Sequence, residues 1–181
     1  QKELSNLKGK IAIVSDVHGT TRDTIEETMN IDGVLFRFID TAGLRETSEI
    51  VEKIGIERTF KKISEASIVL GMVDLTRDFE SSCETVSSIL EKVDFRAQTL
   101  VFLLNKTDIS DINKNVSILN YIVSELDSKG VKYMKPESRL EEPISTSEAP
   151  FKSGTAVKII PISAKTGSGI KELRAHLATT Q

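Results

Sequence analysis

Three short apolar runs constrain the fold of this chain most strongly. They are SIVLGMVD at residues 67–74, TLVFLLN at residues 99–105 and VKIIPI at residues 157–162. None of them alternates apolar with polar residues, which is typical of strands that are covered on both faces. Because helical patterns separate the runs, the sequence predicts an α/β fold with a doubly wound, mainly parallel sheet.

The remaining elements are indicated by turn residues and by spacing. Asp32 and Gly33 separate residues 28–31 from residues 34–40, and Asp-Gly between β-like runs is a strong hairpin signal. Four segments place apolar residues at helical spacing, although Gly55 allows an interruption in the first. Their apolar positions are Ile50, Ile54, Phe60 and Ile63; Cys83, Val86, Leu90 and Val93; Ile112, Val116, Leu119, Val123 and Leu126; and Ile170, Leu173 and Leu177.

Length and composition favour one domain, residues 1–181, with a substantial core. The net charge of −3 argues against broad electrostatic binding to nucleic acid. A single cysteine, Cys83, cannot build a disulfide framework and fits a reducing compartment. With no signal peptide and no long apolar run, we expect no membrane span and a cytoplasmic location.

Residues 128–154 differ in composition from the rest of the chain. They contain Pro136, Pro143 and Pro150 together with many charged residues. This composition predicts a long loop or mobile insertion before the last strand.

Polar motifs lie beside the predicted strands. GTTRD at residues 19–23 precedes the hairpin, and DTAG at residues 40–43 closes its second strand. NKTD at residues 105–108 ends or follows one apolar run, and SAK at residues 163–165 follows another. In a sheet of this kind, ligands bind at the carboxyl ends of the strands.

The chemistry of these motifs suits a guanine nucleotide with magnesium. Asp40 can hold a magnesium ion through water, and the amide of Gly43 can approach a terminal phosphate. The Asp108 carboxylate can accept two hydrogen bonds from guanine N–H groups, which adenine does not offer. A backbone amide of the SAK segment can lie near the guanine carbonyl.

Each motif taken alone has a simpler interpretation. DTAG could be a turn, SAK an ordinary loop, and NKTD the start of the helix near Ile112, capped by Asp108 or Ser110. Their order, their spacing and their shared position beyond strands favour the nucleotide site over three coincidences.

The motifs resemble switch I, switch II and the two guanine-specificity motifs of the translation-factor-like GTPases. IVSDVHGTTRDTIEET, DTAGLRET and VEKIGIERTF further resemble the G domain of the MnmE (TrmE) family of tRNA-modification GTPases, closely over residues 12–60 and again at the two base motifs. The resemblance implies a Ras-like P-loop GTPase G domain that hydrolyses GTP to GDP. It also implies a larger protein that binds tRNA through other domains and works with a flavoprotein partner on a wobble uridine.

One departure from the family pattern concerns the phosphates. No G-x-x-x-x-G-K-[ST] phosphate loop occurs in these 181 residues. In the family that loop, with the strand before it and the helix after it, lies just before the segment that matches IAIVSD. We therefore expect a G domain that is incomplete on its N-terminal side and lacks a central strand, through omitted residues, truncation or splicing.

A second departure concerns hydrolysis. The residue after DTAG is Leu44, which cannot orient a water molecule as the glutamine of other GTPases does. The resemblance implies a K⁺-dependent GTPase that is activated when two G domains dimerise through their switch regions. Ser15, Val17 and Thr20 match the loop that binds K⁺, and Glu52 matches a catalytic glutamate that positions the nucleophilic water. Without the resemblance, Glu52 reads as a solvated carboxylate on a helix face.

The resemblance also implies that Thr21 binds Mg²⁺ directly and that Asp40 binds it through water. The GTP-binding residues that it implies are Ser15, Asp16, Val17, His18, Gly19, Thr20, Thr21, Asp40, Thr41, Ala42, Gly43, Asn105, Lys106, Asp108, Ser163, Ala164 and Lys165.

Two other functions stay open at this point. A non-hydrolysing remnant or interaction module would account for the missing phosphate loop. A ribosome-assembly GTPase domain would share GTTRD and DTAG, but the GLRET…VEKIGIERT segment argues against it.

Overall fold

The computed structural model describes residues 7–15, 26–40, 63–134, 136 and 156–180. The strands within these residues form one seven-stranded sheet in the order β2-β3-β1-β4-β5-β7-β6. Every neighbouring pair is parallel except the antiparallel pair β2–β3, so the predicted α/β fold is confirmed. The elements in chain order are β1 (Leu7–Ser15), β2 (Glu26–Ile31), β3 (Val34–Asp40), β4 (Ile68–Asp74), α1 (Phe79–Lys92), β5 (Thr99–Asn105), α2 (Ile112–Ser128), β6 (Tyr133–Met134), β7 (Val157–Pro161) and α3 (Ile170–Thr179).

The centre of the sheet is filled by β1, so the expectation of a missing central strand is wrong. β1 pairs in parallel with β3 on one side and with β4 on the other, and Ile11 lies opposite both Phe38 and Ile68. Ile11, Ala12 and Val14 are all buried. Consecutive apolar residues suit a strand that is covered on both faces, which is what the central position requires.

The predicted hairpin is present as β2 and β3. Asp32 and Gly33 both have positive φ, at 50° and 88°, which is the backbone pattern of a two-residue type I′ turn. The Gly33 amide donates to Asn30 Oδ1 at 2.9 Å, which closes the turn.

Helices cover both faces of the sheet. α1 and α2 pack on one face, where Phe102 of β5 is buried with Val86 and Ile118. α3 packs on the other face, where Leu103 of β5 is buried with Leu177. These three helices confirm three of the four predicted ones. The helix predicted over residues 50–63 lies outside the described residues apart from Ile63, which is buried.

The segment predicted as a long loop, residues 128–154, starts with the last residue of α2 and contains a short strand, β6. Tyr133 of β6 lies opposite Val157 of β7, which makes β6 an edge strand of the sheet. A strand of two residues has no detectable period, so no sequence pattern predicts it. Apart from Pro136, residues 135–155 lie outside the described residues, so the loop or mobile insertion stays a prediction, as does the single domain over residues 1–181. Among the described helices, none combines the length and apolar character that crossing a membrane needs.

Candidate guanine-nucleotide site

The carboxyl ends of three neighbouring strands bring the base motifs together. β4 and β5 pair through to their last residues, so Asp74 lies opposite Asn105. Hydrogen bonding between β5 and β7 continues one residue past β7, where the Ile162 amide donates to the Leu104 carbonyl at 2.8 Å. Asp74, Asn105 and Ser163 therefore start three adjacent loops at one edge of the sheet, which we call the base edge.

Asn105 joins the NKTD motif to the SAK motif. Its Oδ1 accepts hydrogen bonds from the Lys106 amide at 2.8 Å and from the Ala164 amide at 3.1 Å. Thr107 strengthens the same junction, because its amide and its Oγ1 donate to the Ile162 carbonyl at 3.2 Å and 2.9 Å. Two motifs that are far apart in sequence thus form one hydrogen-bonded unit.

The SAK motif lies in a closed turn. Ser163 is fully buried, and its amide donates to the Ser168 carbonyl at 3.0 Å. The Ser163 side chain accepts from the Thr166 amide at 3.1 Å, and its carbonyl accepts from the Gly167 amide at 2.8 Å. The amides of Ser163 and Ala164 are thus engaged, whereas the Lys165 amide donates to no acceptor among the described residues.

Asp108 does not cap the helix that follows it. The N-cap of α2 is Asp111, whose Oδ1 accepts from the Lys114 amide at 3.0 Å. Ser110 instead accepts a hydrogen bond from the Asn115 side chain at 2.9 Å. The capping alternative for Asp108 and Ser110 is therefore wrong. The Asp108 side chain is exposed and forms no hydrogen bond or ion pair with the rest of the described chain.

Asp74 also lies at the base edge, although no sequence motif predicted a role for it. Lys106 Nζ lies 2.6 Å from Asp74 Oδ2, and Asp74 Oδ1 accepts from the Thr76 amide at 2.9 Å and from Thr76 Oγ1 at 2.6 Å. Partial burial by itself would raise the pKa of Asp74, but the hydrogen bonds from Lys106 and Thr76 outweigh it and lower the pKa. One feature of the sequence could have identified Asp74: it is the polar residue that ends one apolar run, as Asn105 ends the next.

The residues predicted around the phosphates are only partly described. Ile13 of β1 lies opposite Asp40 at the end of β3, so these two strands end on the same edge of the sheet as β4, β5 and β7. We call the ends of β1 and β3 the phosphate edge. Only the backbone of Ser15 and Asp40 is described. The other residues predicted for the phosphates and for hydrolysis lie outside the described residues, as does Leu44; they are Asp16, Val17, His18, Gly19, Thr20, Thr21, Thr41, Ala42, Gly43 and Glu52.

Comparison with known proteins identifies a protein family and sequence relatives that this chain resembles. The family described as 50S ribosome-binding GTPase (MMR_HSR1) matches residues 3–106. Over 167 residues, the chain is 44% identical to the tRNA modification GTPase MnmE of Porphyromonas gingivalis, covering 92% of this chain and 29% of that protein. It is 38% identical over 170 residues to the MnmE of Christiangramia forsetii, covering 92% of this chain and 31% of that protein. The chain thus spans less than a third of the length of these relatives.

Two solved structures have the same fold. A variant of Era from Aquifex aeolicus, bound to GDP and AlF₄⁻, superposes with a TM-score of 0.61 at 18% identity, covering 93% of this chain and 55% of that chain. The elongation factor SelB from Methanococcus maripaludis, in complex with a GTP analogue, gives a TM-score of 0.59 at 16% identity, covering 97% of this chain and 34% of that chain. The fold is therefore that of the Ras-like P-loop GTPases.

Proposed function

Because this chain belongs to the MMR_HSR1 family of 50S ribosome-binding GTPases, we propose that it binds guanine nucleotides and, in the intact protein, hydrolyses GTP to GDP. The observation that carries the proposal is the hydrogen bond from the Ala164 amide to Asn105 Oδ1, which unites the two base motifs. The exposed Asp108 carboxylate follows three residues after Asn105, at the same edge of the sheet.

Base recognition would combine one acceptor and one donor. The Asp108 carboxylate accepts from the ring N–H and the exocyclic amino group of guanine. The Lys165 amide, which is free of acceptors in the described part of the chain, donates to the guanine carbonyl. Adenine presents the opposite pattern at these positions, so it would leave both protein groups without partners, and such unpaired groups cost affinity.

The phosphate edge would supply the hydrolytic chemistry, and this part of the proposal rests on the family resemblance. Thr21 would bind Mg²⁺ directly and Asp40 through water, and the ion would offset charge on the phosphates. Ser15, Val17 and Thr20 would provide oxygen ligands for K⁺. Glu52 would position the attacking water, because Leu44 has no polar group that could do so.

The proposed wider role is tRNA modification. It is supported by curated relatives with 38–44% identity over 92% of this chain, whose name is tRNA modification GTPase. The proposal includes dimerisation of two G domains through the switch regions, a flavoprotein partner, tRNA binding by other domains and a cytoplasmic location.

Replacing Asp108 with asparagine in the intact protein tests base recognition. An asparagine can donate to the carbonyl that xanthine carries in place of the guanine amino group. We expect the affinity for GDP to fall by about 2–5 kcal/mol, as for the loss of a charged, paired group, and the affinity for XDP to rise. Calorimetric titration with GDP and XDP measures both.

Asp111→Asn is the matched control, since Asp111 is a nearby carboxylate that caps α2 and asparagine also caps helices well. This control should keep the guanine preference. An unchanged preference for GDP over XDP in Asp108→Asn would refute the proposed base site.

The monovalent ion is tested separately. Hydrolysis by the intact protein should be much faster in KCl than in NaCl at equal ionic strength, because K⁺ at the phosphates offsets developing charge. Equal rates in the two salts would contradict the potassium mechanism but leave base recognition untouched.

A further inference from the structure

Lys106 has a backbone conformation that lysine rarely adopts. Its φ is 70°, in the left-handed region where the Cβ of an L-residue crowds its own backbone. Apart from Asp32 in the hairpin turn, Lys106 is the only non-glycine residue of the described chain with a positive φ. A strained residue of this kind persists where its surroundings hold it in place, and such residues cluster at functional sites.

Asp74 supplies the contact that holds the Lys106 side chain. Lys106 Nζ lies 2.6 Å from Asp74 Oδ2, where the Asp74 side chain is 13% exposed and that of Lys106 is 44% exposed. The other carboxylate oxygen of Asp74 is fixed by two hydrogen bonds from Thr76. The acceptor is thus held from the end of β4 and reaches across to the residue that follows β5.

In the sequence, Lys106 also lies between Asn105 and Asp108, the two motif residues that the base site uses. Its amide donates to Asn105 Oδ1 at 2.8 Å, and its carbonyl accepts from the Ile109 amide at 3.2 Å, which closes the turn around Asp108. Any movement of Lys106 therefore changes the backbone that carries Asp108.

Asp74 has a second effect, through the charges of Lys106 and Asp108. Asp108 is two residues from Lys106, is exposed, and pairs with no other described residue. An ammonium group that Asp74 did not hold would have Asp108 as a carboxylate neighbour in its own loop. Pairing with Lys106 would then compete with the hydrogen bonds that Asp108 offers to guanine.

We propose that Asp74 is a positioning residue for guanine recognition: it holds the Lys106 ammonium at the end of β4 and so leaves the Asp108 carboxylate free for the base. This inference rests on the proposed function and adds to it a residue that sets specificity without contacting the nucleotide. The lowered pKa of Asp74 is consistent with this role, because the carboxylate is then charged at neutral pH.

The test compares Asp74→Asn with Asp78→Asn in the intact protein. Asp78 is the matched control because it is a carboxylate four residues away that caps α1 through Ser81, and its side-chain hydrogen bonds within the described residues go to the first turn of that helix. GDP and IDP are titrated against each variant, since inosine lacks the amino group that Asp108 would bind. Thermal unfolding of each variant is measured in parallel.

We expect Asp74→Asn to lower the affinity for GDP by about 10-fold, the order of one partly exposed charge-assisted hydrogen bond. The preference for GDP over IDP should fall as well, because the lost affinity comes from Asp108, whose carboxylate binds the amino group that distinguishes the two bases. Asp78→Asn should change stability little, because asparagine also caps helices well, and it should leave both affinities and their ratio unchanged. In a Lys106→Met background, Asp74→Asn should have little further effect, because its action passes through Lys106.

The outcomes separate this inference from the proposed function. An unsubstituted protein with no preference for guanine would overturn both. A protein that prefers guanine, but whose Asp74→Asn variant loses only stability and keeps the ratio of GDP to IDP affinity, would overturn the positioning role alone. If Asp74→Asn does not fold, Thr76→Val removes one of the bonds that orient the carboxylate, and it should reduce the same ratio by a smaller factor. An unchanged ratio in Thr76→Val would then count against the role.

Discussion

The base edge and the phosphate edge of the sheet differ in how closely each strand is tied to the motif that follows it. At the base edge, Asn105 is both the last residue of β5 and the acceptor that binds the loop after β7. At the phosphate edge, β1 fills the centre of the sheet, yet the residues after it read DVHGTT and not a glycine-rich loop with a lysine. The place of a strand in the sheet and the chemistry of the loop after it are therefore separate properties.

The physical reason is that different residues decide each property. A central strand needs side chains that can be buried on both faces, and Ile11, Ala12 and Val14 satisfy that need. A phosphate cradle needs glycines that let successive amides point at one anion, together with a lysine and a magnesium-binding hydroxyl. Burial in the core requires the apolar residues of the strand, but it does not determine whether the next loop has the residues that bind phosphate.

The largest effect expected at the phosphate edge is on rate. Glu52→Ala in the intact protein should slow single-turnover hydrolysis of GTP by about 10²–10³-fold, the range for a positioned base or dipole. Nucleotide affinity should hardly change, since the interaction through water exists mainly in the transition state. This is the opposite of Asp108→Asn at the base edge, which should act on affinity.

Single-turnover kinetics alongside nucleotide titration measures both quantities for Glu52→Ala. Glu84→Ala, at an exposed carboxylate of α1, serves as the control and should leave both unchanged. If Glu52→Ala hydrolyses GTP at the rate of the control, Glu52 is an ordinary surface carboxylate. If it loses affinity together with rate, the residue has a structural role instead.

The next effect is on stability. It compares Gly169, which precedes α3 and follows the SAK loop, with Gly33 in the turn between β2 and β3. Gly169 and Gly33 both have positive φ, at 74° and 88°. A Cβ at Gly169 would clash with the carbonyl oxygen of Pro161, whereas a Cβ at Gly33 would meet nothing within 4 Å. Both alanine variants incur about 1–2 kcal/mol of backbone strain. Gly169→Ala should lose about 1–3 kcal/mol more through overpacking, because the obstructing atom is backbone.

Denaturant unfolding of the two alanine variants measures this difference. Equal losses would mean that the turn after β7 relaxes easily, and the close approach of Gly169 to β7 would then not help to hold the SAK loop in place.

Much of the fold could be predicted because the deciding residues are local. β5 was predicted with the bounds that it has, since TLVFLLN is apolar on both faces, and Asp32-Gly33 marked the hairpin. β1 was missed because the family resemblance assigned its neighbourhood to a loop after an absent strand, although its own apolar run is sufficient for a central strand. β6 was missed because two residues carry no pattern.

The base motifs could be predicted from the sequence, but the contacts among their residues could not. Asn105, Ala164 and Asp108 were identified from their motifs, while the pairing of Lys106 with Asp74 depends on β4 lying beside β5. Strand order is a tertiary property, which sequence spacing leaves open. The cap of α2 was missed for a different reason: Asp108, Ser110 and Asp111 are all good capping residues within four positions, and only the helix start decides among them.

The smallest expected effect is the dependence of stability on pH, and it can be assigned to one part of the molecule because the chain has only two histidines, His18 and His176. His176 is half-buried on α3, and burial lowers its pKa below the usual 6.5. Lys158 on β7 lowers the pKa further, and Glu172 on the same helix partly offsets this.

The sign of the pH effect follows from that shift. As pH falls below 6.5, His176 is protonated in the unfolded chain before it is protonated in the folded chain. The contribution of neutral His176 to the free energy of unfolding is therefore complete above pH 6.5 and is lost as pH falls through the folded pKa. The loss should be about 1 kcal/mol or less for a half-buried group. The free energy of unfolding, measured between pH 5 and pH 8, should therefore rise with pH. His176→Gln should flatten this rise, and His18→Gln, in the sequence segment that follows β1, should leave it in place. If His18→Gln flattens it and His176→Gln does not, the pH-sensitive group is His18 and the assignment to α3 is wrong.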